Sequence, residues 1–124
     1  MPTLPDEALV VRGGQNLPTS FAQGSGVQVE TGGKFQGVSV NSSPGVSVQA
    51  LTAHNPQTGY PGIPHNQIGV TTVGAVRAAG GDVVSVPTRT NPHHALLSGL
   101  IPEQASVFFR PTVKNPHRRE KGME

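Results

Sequence analysis

Short apolar runs rich in β-branched residues recur at positions 9–11, 38–40, 70–73 and 83–86, each bounded by glycine, proline or asparagine. That rhythm predicts short strands separated by tight turns. Residues 8–12 read as a strand ending in Arg12, with Gly13 and Gly14 turning the backbone directly after it. Residues 16–26 read as a loop or a single helical turn around Phe21. The alternation at 27–30, a turn at Gly32 and Gly33 and a returning strand at 35–40 predict a hairpin. Its period of two sets Phe35, Gly37 and Ser39 on one face and Gln36, Val38 and Val40 on the other, which turns Ser39 away from the apolar side.

Ser43 followed by Pro44 has the form of an N-cap and first helical position, with a helix through residues 46–53. The proline- and glycine-rich stretch 54–66 reads as an irregular binding loop. Residues 67–71 form the next strand, Thr72 caps a helix through Ala79, Gly80 and Gly81 end it, and a strand follows at 82–86. Pro102 opens a helix through Phe109 whose apolar stripe of Ala105, Phe108 and Phe109 belongs to a core. The expected fold is α+β: a small, strongly twisted antiparallel sheet with two to three short helices in one domain. Its expected limits are a short extension at 1–7, the domain at 8–113 and a basic tail at 114–124.

Composition supports this and narrows the chemistry. The 124 residues include 16 Gly and 12 Pro, which keeps helices short. Cysteine is absent, excluding disulfides, zinc–thiolate sites and cysteine nucleophiles together. No apolar run approaches the length of a membrane span, so a soluble protein without a membrane partner is expected. Net charge is only +2, yet between residues 8 and 119 the carboxylates are just Glu30, Asp82 and Glu103. Against them stand Arg12, Lys34, Arg77, Arg89, Arg110, Lys114, Arg118 and Arg119, a balance that favours an anionic partner such as RNA. So few carboxylates argue against magnesium-dependent nucleases and glycosidases. His54 and His65 flank the long loop without a third ligand, so no metal site is expected.

The candidate chemistry concentrates in residues 87–99. Asn91-Pro92 makes a rigid bend that releases His93 and His94 at the start of an apolar strand, where successive rings point to opposite faces. A histidine exchanges protons near neutrality. RNA carries its own nucleophile, so its cleavage needs only a proton acceptor, a proton donor and groups that stabilise phosphorane charge. His94, Arg12 and Ser39 are the catalytic candidates, and Arg12 and His94 are expected to face one cleft. Thr88, Arg89, Lys34 and Tyr60 are the substrate-binding candidates, Tyr60 as a ring on which a base can stack.

In order, Leu9-Val10-Val11-Arg12-Gly13-Gly14, Phe21, Gly37-Val38-Ser39-Val40, Gly69 through Gly74, Pro87-Thr88 and Asn91-Pro92-His93-His94-Ala95 resemble small bacterial toxin domains of the barnase, EndoU, colicin and RelE type. That resemblance implies cleavage of RNA without metal or cofactor, a cytoplasmic site of action whether made there or delivered from another cell, and a cognate antitoxin or immunity protein as partner. A competing resemblance, to ADP-ribosyltransferases, rests on Arg12-Gly13 and the serines from Ser39 to Ser43 and implies NAD as cofactor. That family's catalytic glutamate ends a late strand, whereas Glu103 stands at a helix start. A third reading, a non-catalytic binding or immunity module, sits less easily with a basic middle.

Overall fold

The computed structural model describes residues 3–21, 28–30, 32–110 and 112–117. Residues 22–26 of the segment expected as a loop or helical turn at 16–26, and the end of the basic tail, lie outside the described residues; a helical turn is present at Pro18–Phe21. Among the described residues, eight strands are β1 (Leu9–Gly13), β2 (Gln28–Val29), β3 (Phe35–Gln36), β4 (Val38–Ser42), β5 (Gln67–Thr72), β6 (Asp82–Ser85), β7 (His94–Ser98) and β8 (Val113–Lys114). Three helices, α1 (Val48–Thr52), α2 (Val73–Ala78) and α3 (Pro102–Phe109), complete the α+β domain. Six strands form one open antiparallel sheet in the order β6-β7-β4-β1-β5-β8, and β2 and β3 pair separately.

The sheet has two unequal faces. Val10, Val38, Val40, Ala95 and Leu97 meet Val73 and Val76 of α2, Ala105 and Phe109 of α3, and Phe21 and Phe35, forming the main core. Phe21 stacks on Phe35 with ring centroids 5.8 Å apart. On the other face Val11 and Ile68 pack against Leu51 of α1 and Ile63 of the long loop. A five-residue helix is about 7.5 Å long, whereas a six-stranded sheet is about 24 Å wide. Most of this second face therefore remains uncovered by helix, and the groove described below lies there.

Two local expectations are corrected. Helix α1 starts later than Ser43-Pro44 implies: its N-cap is Ser47, whose hydroxyl accepts from the Ala50 amide at 3.2 Å. The Ser43 hydroxyl is instead engaged by His93 Nδ1 at 2.7 Å. The strand expected at 35–40 is broken at Gly37, whose φ of 81° no extended strand allows. That break resets the alternation, so Phe35 joins Val38 and Val40 in the main core, while Ser39 points away as expected.

The first and last of the described residues are bound in. Leu4 is buried in the main core, and Arg77 donates to the Leu4 carbonyl and to the Asp6 carboxylate at 2.8 and 2.7 Å. At the other end Asn115, fully buried, donates its side-chain amide to the Ile63 and His65 carbonyls, both at 2.9 Å. His117 then reaches the Gln49 carbonyl of α1 at 2.7 Å. Among the described residues no helix is long and apolar enough to cross a membrane.

Candidate functional site

His94 opens β7 opposite Asn41 of β4, and the next pairs are Ala95 with Val40 and Leu96 with Ser39. Ala95 and Val40 lie in the main core, so alternation sends His94, Ser39 and Asn41 to the uncovered face. There His94 Nε2 lies 3.2 Å from Ser39 Oγ. Its Nδ1 lies 2.9 Å from the Val86 carbonyl. A carbonyl only accepts, so Nδ1 carries the hydrogen, and in the neutral ring Nε2 is left as the acceptor facing Ser39. An imidazole fixed in this way, with its basic nitrogen on a hydroxyl, has the geometry of an oriented general base.

The bend that delivers His94 is held by amide chemistry. Thr88 accepts the Asn91 amide at 3.0 Å and the Thr88 amide donates to the Asn91 carbonyl at 3.0 Å. Buried Asn91 donates to Asn41 Oδ1 at 2.9 Å, and Asn41 donates in turn to the Leu51 carbonyl at 2.8 Å and to the Tyr60 hydroxyl at 2.9 Å. Every bond in this chain is between neutral groups, and together they tie the turn, β4, α1 and the long loop to one another. Neither asparagine stood out in the sequence; Asn91 read only as a turn residue.

Over these residues runs a groove of about 320 Å³. Ser39 and His94 of the sheet and Asn91 of the turn line it together with Tyr60, Ile63 and His65 of the long loop. His65 is the group the sequence did not single out for catalysis. Its ring lies against Gly13: a Cβ there would collide with His65 Nδ1 and meet Ile63 at 2.5 Å. Gly13, expected in the turn, is the last residue of β1 and a seat for the ring, and the backbone bends at Gly14. Continuing the β1–β4 register, in which Val11 faces Asn41, sets Gly13 opposite Ser39. His94, paired with Asn41, therefore reaches Ser39 diagonally, two residues along β4, and Gly13 with His65 against it lies beside Ser39 on β1.

The other candidates disperse. Arg12 borders the groove, but its guanidinium leaves by the opposite face, 4.6 Å above the Phe21 ring and donating to Asn16 Oδ1 at 2.8 Å. Burial lowers its pKa. The expectation that Arg12 and His94 act in one cleft is therefore not met, because Arg12 is in register with the core-facing Val10 rather than with Val11. Thr88 holds the turn. Arg89 is exposed on that turn, and Lys34 is exposed in the β2–β3 hairpin, whose Phe35 packs on the main core. Tyr60 does line the groove, half-buried, with its hydroxyl anchored on Asn41. Glu103 lies in the first turn of α3, beside a separate pocket with Pro18 and Arg110. Among the described residues no cluster of three or more His, Cys, Asp or Glu could hold a metal ion.

Comparison with protein-family models, with curated proteins and with solved structures finds no match to this chain.

Proposed function

We propose that the groove is the active site of a metal-independent endoribonuclease, a toxin of the small bacterial type that the sequence resembles, with RNA as substrate and a cognate antitoxin or immunity protein as its restraint. The observation that carries this reading is the His94 ring, fixed by the Val86 carbonyl with Nε2 on Ser39, and a second histidine lining the same groove. His94 takes the proton from an RNA 2′-hydroxyl, whose oxygen attacks phosphorus. His65, as imidazolium, protonates the departing 5′-oxygen as the P–O bond breaks. The products are a 2′,3′-cyclic phosphate and a free 5′-hydroxyl. Ser39, whose hydroxyl donates to Nε2 in the free groove, yields that nitrogen to the 2′-hydroxyl when RNA binds, and the Tyr60 hydroxyl supplies a hydrogen bond to a phosphorane oxygen in place of Arg12. Among the described residues no carboxylate lines the groove to repel the phosphate.

An NAD-dependent transferase would draw on Arg12, Ser39 and Glu103 together, and these three lie on separate surfaces. No observation favours that alternative. The test is to incubate the purified chain with RNA in excess EDTA and to analyse fragment ends. Fragments ending in cyclic phosphate are expected, and His94→Gln should slow their appearance at least about a hundredfold. RNA left intact, or cleavage that needs added magnesium or NAD, overturns the proposal.

A further inference from the structure

The groove does not end at His65. A second pocket of about 290 Å³, walled by Gly14, Gln15, Asn66 and Gln67, shares His65 with it. Its chemistry differs from that of the groove: beyond His65, its side chains are three neutral amides, with no charge to hold a phosphate. Gln67 Oε1 accepts from Thr112 at 3.3 Å, which turns its amide nitrogen away from that contact. The backbone below is pinned, since the Gly14 amide donates to the Gln67 carbonyl at 2.9 Å and the Asn115 amide donates to the Asn66 carbonyl at 2.8 Å. Side-chain amides offer a donor and an acceptor side by side, the pattern that pairs with the edge of a nucleobase.

Resting on the ribonuclease reading, we propose that this pocket is a second subsite, which takes the nucleobase on the leaving side of the scissile phosphate. The arrangement follows from proton delivery. His65 protonates the 5′-oxygen that departs, so the nucleoside bearing that oxygen lies on the His65 side of the phosphate. The nucleoside bearing the attacking 2′-hydroxyl lies between His94 and Tyr60. The smallest full substrate is then a dinucleotide, with Gln15, Asn66 and Gln67 contacting its 3′-side base.

Two measurements test this. First, cleavage of an RNA dinucleotide is compared with cleavage of the same molecule made abasic on its 3′ side. Losing the base should raise KM about tenfold, and Gln15→Ala with Asn66→Ala should bring the two KM values together. Equal KM values for the two substrates with the native chain overturn the subsite. Second, a dinucleotide with 2′-deoxyribose at the attacking position, which cannot be cleaved, is titrated into the native chain while backbone amide resonances are followed. Shifts at Gly14, Gln15, Asn66 and Gln67 that vanish with the abasic form support the subsite. Their absence overturns it even if RNA is cleaved, whereas base-dependent shifts without cleavage of RNA retain the subsite and remove the catalytic reading.

Discussion

His93 and His94 are adjacent in the chain and stand in different chemistry. His93 is half-buried against Ser43, and burial lowers its pKa because the imidazolium loses hydration it does not recover there. The unfolded chain then binds that proton more readily than the folded one, so this group makes stability rise with pH. Its contribution is complete above about pH 6.5, the unfolded value, and is lost as pH falls through the lower folded value. Thermal midpoints followed from about pH 7.5 down to about 5 should decline less for His93→Asn than for the native chain; parallel declines would assign the effect to other groups. Arg12 is a second residue whose role its surroundings decide. Arg12→Met keeps the stem and removes the cation from above Phe21, at an expected cost of about 1–3 kcal/mol in urea unfolding. RNA cleavage per folded molecule should stay within about twofold, less than half a kcal/mol of barrier. A large loss of cleavage without loss of stability would return Arg12 to the catalytic set. At this scale residue type and local turn chemistry picked out His94, Ser39 and Tyr60, which line one groove, and grouped Arg12 with them, whereas its guanidinium lies on the core face, since residue type does not say which face of a strand is the core.

Elements show where local pattern is enough. The helix over α3, with Pro102 in its first turn and Ala105 and Phe109 buried, is legible because proline and the apolar stripe both act within a few residues. The cap at Thr72, accepting from the Ala75 amide at 3.2 Å, is legible for the same reason. Strand 35–40 was not, because one glycine at positive φ reverses every side chain after it. The segment following β8 is the least legible: a polar, proline-containing stretch becomes a strap because Asn115 is buried beneath the loop that carries His65. Asn115→Ala strands the Ile63 and His65 carbonyls, with an expected loss of about 2–3 kcal/mol in chemical denaturation. The same variant should lower kcat at temperatures where it remains folded, because His65 loses its support. An unchanged kcat would separate the strap from the site.

Across the whole molecule, the ribonuclease proposal divides binding between charge and groove. The groove lining is largely neutral, while exposed cations such as Arg89 and Lys114 stand outside it, so affinity for RNA should combine neutral contacts within with phosphate contacts around the rim. Plotted against the logarithm of salt concentration, log affinity should fall with a slope of about −0.7 for each phosphate engaged on a single strand. A flat plot would mean that the basic surface takes no part. The sequence by itself determined the segments, their types, the α+β class and the turn that presents His94, because hydrophobic period, capping and turn chemistry act over a few residues. It could not determine which segments become neighbours. β5 and β6 flank one short helix yet lie in opposite halves of the sheet, and His65 meets Gly13 across some fifty residues of chain. Those meetings were decided by the tertiary structure, through long-range strand pairing and burial, and they brought two histidines far apart in sequence into the lining of one groove.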